Sequence, residues 1–379
     1  MNFKTSRKHA LDELEKFING EIINYSSKRN YDFGPKNRKN ISCLSPYITH
    51  RLLTEYEVSK KVLSKYPYQK MEKYIQEIFW RVYWKGWLEL RPRVWSDFID
   101  DLNNLEDSEE YQKAINSNTE IECFNNWVKE LKEFNYLHNH TRMWFASIWI
   151  FTLGLPWQKG AEFFMKYLLD GDAATNTLSW RWVAGLQTKG KHYVAQAWNI
   201  NKFTNEKYKN IKLNETAKPI VDDREYKISP LNIQKNKDSN DFLIVFDNEL
   251  NTKNLKLKKY KKIYFMLLDN TIRSLKLDKK NLDFKQQIIN NCLIEINGNS
   301  ELITGNKIEN FFENNKSIDI VYPGVGENKS FLEKMIKKHS LNLNYITRDE
   351  DEFCWNFSNK GYFNFKLSIP KILSKFNLN

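Results

Sequence analysis

The stretch Asp170-Gly171-Asp172-Ala173-Ala174-Thr175-Asn176-Thr177-Leu178-Ser179-Trp180-Arg181-Trp182 decides how the chain is read. Two acidic residues flank a glycine, an asparagine follows Asp172 at i+4, and a Trp-Arg-Trp cluster closes the segment without strand-like alternation. Ordinary helix packing asks for neither the carboxylates nor the indoles, whereas a pocket gripping a large polar and aromatic ligand asks for both. The competing reading is a capped helix followed by surface tryptophans.

The chain around it has 379 residues, enough for two domains. Tryptophan divides them: 11 of the 12 lie between Trp80 and Trp198, and only Trp355 lies beyond. The net charge of +12 favours a polyanionic partner such as nucleic acid. It is spread evenly, +6 over residues 1–215 and +6 over the remainder, so neither half is a basic arm. Cys43, Cys123, Cys292 and Cys354 are far apart and form no C-x-x-C pair, which argues against a zinc ribbon or a disulfide framework and for a reducing compartment. The N-terminus runs into a charged amphipathic segment without a signal-peptide core, and no apolar run is long enough to span a bilayer. A soluble cytoplasmic protein is expected.

Upstream of the central stretch, residues 8–24 read as a helix with Leu11, Leu14, Phe17 and Ile18 on one face. A basic, turn-rich loop follows from Tyr25 to Asn40, ending at Ser42-Cys43-Leu44-Ser45-Pro46-Tyr47. Ser45 is expected as the N-cap and Pro46 at the first helical position; with Arg29 and Arg38 nearby, such a helix start suits a phosphate, although a plain capped helix explains the same residues. Glu77, Trp80, Arg81 and Trp84, at i, i+3, i+4 and i+7, put a carboxylate, a guanidinium and two indoles on one helix face. The plain alternative is aromatic packing with a Glu77–Arg81 surface pair. His138 and His140 point to different helix faces and no third ligand follows, so no metal is expected. Trp157 sits just inside another helix opened by Pro156.

Taken in order, Tyr25 with Arg29 and Asn30, Ser42 to Tyr47, Glu77 to Tyr83, His138 to Met143 and Asp170 to Trp182 resemble the flavin-binding helical domain of the photolyase and cryptochrome family. The resemblance implies FAD with its pyrophosphate near Ser42, Leu44 and Ser45, and with Tyr25 and Arg81 lining the cofactor. It further implies an Arg142–Asp170 pair beside the isoalloxazine, Asp172 at its polar edge and Asn176 facing N5, where an amide can donate or accept. Glu77, Trp80, Asn139, His140, Met143 and Trp182 match lesion contacts of enzymes that split cyclobutane pyrimidine dimers. In such enzymes excited reduced FAD gives an electron to a dimer flipped out of UV-damaged DNA, the ring opens and the electron returns. Trp180 and Trp157 match the first two members of a tryptophan relay that re-reduces the flavin. The implied protein is a monomeric photolyase, a carbon–carbon lyase; a cryptochrome-like photoreceptor and a photolyase for the six-four photoproduct are the alternatives.

Departures bear on these implications. His140 stands where dimer-specific enzymes usually carry Arg. The six-four branch uses histidines where this chain has Asn139 and Met143. An iron–sulfur cluster needs four cysteines in the helical domain, and only Cys43 and Cys123 lie there.

Beyond a Lys/Asn-rich linker over residues 202–240, apolar runs at 242–246, 263–268, 293–296, 318–322 and 343–346 read as strands, with helices between them such as 329–339. The alternation predicts a doubly wound parallel sheet of Rossmann type. The expected fold is therefore α followed by α/β: a helical FAD-binding domain over 1–201 and an antenna-like sheet domain over 241–379, the reverse of the family's domain order. Pro323 to Asn328 lies where such a sheet places ligand contacts, but without the G-x-G-x-x-G spacing; it reads as a structural turn, and no second chromophore is assigned.

Overall fold

The computed structural model describes residues 2–231, 233–235, 240–253, 255–296 and 299–378; linker residues 232 and 236–239 lie outside them. The helices in chain order are α1 (Arg7–Asn19), α2 (Tyr25–Lys28), α3 (Ser45–Thr49), α4 (Glu55–Leu63), α5 (Tyr68–Glu89), α6 (Arg93–Asn103), α7 (Glu109–Ile115), α8 (Glu122–Phe134), α9 (Asn139–Ser147), α10 (Trp157–Tyr167), α11 (Ala173–Ala184) and α12 (Ala197–Phe203). After the sheet begins come α13 (Lys279–Ile296), α14 (Asn306–Asn314), α15 (Glu327–His339), α16 (Asp349–Trp355), α17 (Tyr362–Lys366) and α18 (Ile369–Lys375). The helical and α/β parts thus follow one another as the sequence predicts. No helix among the described residues is long and apolar enough to cross a membrane, and none of the four cysteines is in a disulfide.

Two compact units form. One holds the chain up to Phe3, Phe17–Cys43 and Arg93–Tyr226; the other holds Lys4–Lys16, Leu44–Pro92 and the chain from Lys227 onward. This division differs from the expected boundaries, because α3, α4 and α5 fold with the sheet. The reason lies on α5: its buried Phe79, Tyr83 and Gly86 pack toward α16 and α17. A Cβ on Gly86 would stand 2.4 Å from Ser358 Oγ and 2.8 Å from Trp355 Cδ1. Trp355 packs there and against Tyr322 at 5.9 Å, a packing role.

The first unit is built around aromatic side chains. Phe124, Phe145, Trp149, Phe164 and Trp180 are all buried. Its last segment is the first part of the predicted linker, laid along the unit: Ile220 donates to Ala184 O at 3.0 Å, and Arg224 binds Asp101 at 2.7 Å.

In the second unit, β1 (Phe242–Phe246), β2 (Lys262–Leu267), β3 (Ser300–Thr304), β4 (Ser317–Val321) and β5 (Asn342–Ile346) form one parallel sheet in the order β3-β2-β1-β4-β5. Central β1, Phe-Leu-Ile-Val-Phe, is apolar throughout because both its faces are covered. The predicted strand at 293–296 is instead the last turn of α13. Phe284, Ile288, Ile289 and Cys292 are buried at helical spacing while Ile294 is 74% exposed. The strand that fills this place, β3, sits at the sheet edge, where Ser-Glu-Leu-Ile-Thr needs little apolar surface.

Buried charge ties α3 to α5 into this unit. Arg51, fully buried, makes a bidentate pair with Asp351 at 2.8 and 3.0 Å and lies 3.5 Å from Glu249. Burial alone would raise the Asp351 carboxyl, but Arg51 holds it below the usual carboxylate range. At the end of α5, Glu89 accepts from Tyr322 Oη at 2.7 Å and from the Val325 amide at 2.5 Å. Burial pushes the Glu89 carboxyl up. Gly324, at φ 70, lies so close that a Cβ would be 3.0 Å from Glu89 Oε1.

Removing one partner of a buried ion pair costs about 3–5 kcal/mol. Asp351→Asn should therefore lower the urea midpoint of this unit, followed by fluorescence. Because the folded Asp351 value is depressed, its stabilisation is present above the ordinary carboxylate value and lost as pH falls through the folded one. The variant should accordingly show a shallower acid limb than the parent protein.

Candidate functional site

In the first unit the site begins at α9. His138 caps it, Nδ1 accepting the His140 amide at 3.2 Å. Burial brings the His138 imidazole down to about 4, the nearby Asp32 carboxylate opposing this only in part, so the ring is neutral at neutral pH. Behind it Arg38 pairs with Glu130 and Asp32, and Thr141 Oγ1 donates to Asp32 at 2.6 Å. Burial opposes ionisation of Asp32, yet Arg38 holds its carboxyl below the usual range. Arg38, expected beside a phosphate, is thus committed to a buried pair.

Arg142 reaches from α9 to Asp170, Nη2 to Oδ2 2.9 Å, while its Nε donates to Leu137 O at 2.9 Å. The expected guanidinium–carboxylate pair is made, and the second bond fixes the guanidinium plane. Asn139 opens the helix exposed, and Met143, at i+4 on the same face, is half-buried. His140, expected among the lesion contacts, is turned inward. Its Nδ1 lies 2.9 Å from Asn30 O and its ring packs on Trp144 at 4.2 Å and Phe203 at 5.2 Å. An imidazole so engaged pins α9 to the Asn30 turn. Burial lowers its pKa.

The central stretch becomes α11. Asp172 is its N-cap, Oδ1 accepting from Ala174 N at 3.0 Å and Thr175 N at 2.9 Å, and Gly185 at φ 87 ends it in the left-handed region. Asp172 therefore has a structural duty, although a carboxylate keeps further lone pairs for a ligand. Asn176 donates through Nδ2 to Ala161 O at 2.9 Å. A carbonyl partner dictates that this end is the amino group, which leaves Oδ1, an acceptor, as the atom that can meet a donor.

Trp180 is buried edge-on to Phe164 at 5.1 Å and to Trp149 at 6.2 Å. Trp157 stacks on Phe98 at 5.5 Å with Arg181 over its ring at 5.9 Å. Trp149 also meets Tyr111 at 5.8 Å. It lay unnoticed inside an apolar run, with no local signal separating it from core. Trp182 is half-buried, one face stacked on Tyr193 at 5.9 Å and 21°. Tyr25 and Arg29 are half-buried, Tyr25 edge-on to Phe17 at 6.2 Å and Arg29 donating to Ser26 O at 2.8 Å. Ser42 is half-buried before Cys43 at φ 50.

In the second unit, Leu44 rather than Ser45 is the N-cap of α3, which opens with Ser45 and Pro46 and spans only five residues. The chain is already helical at Leu44, φ −87 and ψ −6, so Ser45 cannot take the extended geometry a cap needs. On α5, Glu77 pairs with Lys73 at 3.0 Å, one turn before its expected neighbour Arg81; Arg81 is half-buried. Trp80 lies flat on Tyr362 of α17, centroids 3.4 Å apart at 11°. Tyr362 Oη in turn donates to Gln76 O at 2.6 Å. Trp84, by contrast, is core. Tyr193 and Tyr362, each backing a tryptophan, were invisible in the sequence because the contacts come from separate elements.

Residues 74–224, which contain the α5, α9 and α11 motifs, match the family described as the FAD binding domain of DNA photolyase. Through this segment the chain is similar to DNA photolyases. A curated relative, the deoxyribodipyrimidine photo-lyase of Agrobacterium fabrum, is 29% identical over 183 residues, 46% of this chain and 37% of that protein. Another, from Streptomyces griseus, is 32% identical over 119 residues, 31% of this chain and 26% of that protein. A solved bacterial class III photolyase from Agrobacterium tumefaciens aligns with TM-score 0.46 and 26% identity, over 53% of this chain and 43% of that one. The chain spans less than half the length of these similar proteins.

Packing at Trp180 leaves no room beside it. A Cβ on Gly160 would stand 2.3 Å from Trp180 Cη2 and 3.0 Å from Trp149 Nε1. Gly160→Ala should destabilise the first unit by about 1–3 kcal/mol and change the tryptophan emission spectrum; an unaltered spectrum and denaturation midpoint would show that α10 can move aside.

Proposed function

We propose that this protein is a light-driven DNA photolyase that binds FAD and splits cyclobutane pyrimidine dimers. The observation that carries the reading is one matched segment, residues 74–224, holding both a flavin-type grip and a dimer-type lesion set. The grip is the Arg142–Asp170 pair, Asp172 and Asn176; the lesion set is Glu77, Trp80, Asn139, Met143 and Trp182. The chemistry of the first set fits the cofactor. Reduced flavin carries a proton on N5, and Asn176, its donor end held by Ala161 O, turns an acceptor to such a group. FAD, when bound, supplies the photoexcited electron.

The other roles fall to the chain. Arg142, locked by Leu137 O and Asp170, offers a fixed positive charge beside a reduced, anionic ring. Trp80 in one unit and Trp182 in the other each offer a flat aromatic face on which an extruded base can stack, each held rigid on its other face by a tyrosine. Glu77 and Asn139 hydrogen-bond base edges, and Met143 offers an apolar contact. Trp180 lets an electron reach the flavin site, with Trp157 or Trp149 as the next stage. Lysine and arginine contacts to phosphates supply affinity that falls with salt. A photoreceptor without repair would share the flavin grip and Trp180 but would leave Glu77 and Asn139 without use.

Blue light on the reduced protein with a dimer-containing oligonucleotide should restore intact pyrimidines; no light-dependent restoration sinks the repair reading. Glu77→Ala should retain FAD and lower the repair rate about tenfold, ~1.4 kcal/mol.

A second pair of variants separates capping from cofactor binding. Asp172→Ala should cost about 1 kcal/mol of stability, whereas Asp172→Ser keeps a capping oxygen and should stay within about 0.5 kcal/mol. Both should lose FAD absorbance on gel filtration. Retention of flavin by Asp172→Ser would assign Asp172 to the helix alone.

A further inference from the structure

We infer that Glu309, Glu313 and His339 form a binding site for a divalent cation of the zinc class, within the sheet unit. Glu309 and Glu313 stand at i and i+4 on α14, so their carboxylates share a face. His339 is the last residue of α15, and Ser340, at φ 53, ends the helix immediately after it. One donor atom from each of the three lies within 4.8 Å of the others.

The histidine distinguishes this group from an ordinary acidic surface. Its side chain is 8% exposed and its Nε2 lies 3.6 Å from Glu309 Oε1. That nitrogen is buried and has no hydrogen-bond partner among the described residues. A buried imidazole nitrogen left without a partner costs about 1–3 kcal/mol, and a cation taking its lone pair removes that cost.

The donor set selects the cation. An imidazole with two carboxylates suits zinc and its first-row neighbours, whereas calcium and magnesium prefer oxygen alone. Ligands around tetrahedral zinc are roughly 3.3 Å apart; exposed Glu313 is free to swing the remaining distance. Three protein donors leave the fourth position to water. Lys338 also hydrogen-bonds the Glu309 carboxylate, so it competes with the cation. Bound metal would clip α14 to α15.

The full chain, stripped with chelator and titrated calorimetrically with zinc chloride, should bind one equivalent, with magnesium chloride giving no competition. His339→Gln and Glu313→Gln should each weaken zinc by about tenfold or more, and Lys338→Met should tighten it. Glu313 is exposed, so its variant tests the site without disturbing packing. Zinc should raise the melting temperature of the parent protein but not of His339→Gln. Absence of a zinc equivalent in the parent protein overturns the inference, as does zinc affinity unchanged in both ligand variants.

Discussion

A carboxylate from a helix occupies the place where a doubly wound sheet ordinarily receives a ligand. Strand order reverses between β1 and β4, and the crevice beyond their carboxyl ends is the usual binding position. Here Glu89, closing α5, takes the Val325 amide and the Tyr322 hydroxyl in the turn after β4. Taking a carboxylate out of water is unfavourable unless its partners are fixed, so α5 and the β4–α15 turn hold one another. The Arg51–Asp351 pair repeats the constraint on α16.

That constraint reaches the proposed function, because Glu89 and the Glu77-Trp80-Arg81 group lie on one continuous helix. A helix transmits position along its length, since each turn is hydrogen-bonded to the next. The sheet unit thereby sets where Trp80 stands, and α17 adds Tyr362 against its ring. In the first unit Trp182 has the same kind of support from Tyr193. A flat ring backed by another keeps its orientation, which a stacking wall requires.

Much of this was legible beforehand. Four of the five strands were readable because they depend on local pattern, apolar runs bounded by turn residues, and the Arg142–Asp170 pair followed from the family resemblance. The 293–296 segment misled because a short apolar run fits a buried helix end as well as a strand, and only the edge position of β3 explains why the true strand is so polar. Ser45 looked like a cap by residue type, but capping is decided by backbone torsion, and Leu44 was already helical. His140 and Arg38 looked like ligand contacts until burial showed them bound to Asn30 and to Asp32 with Glu130.

By itself the sequence determined the fold class and the chemistry available in the central stretch, since residue type and spacing set which groups share a helix face. The tertiary structure decided which of those groups are free to act. Asn176 gives its amino end to Ala161, Asp172 caps α11, and Trp180 fills the space beside Gly160. Such commitments depend on partners distant in sequence, and a hydrogen bond or a packed ring exists only when folding brings both sides together.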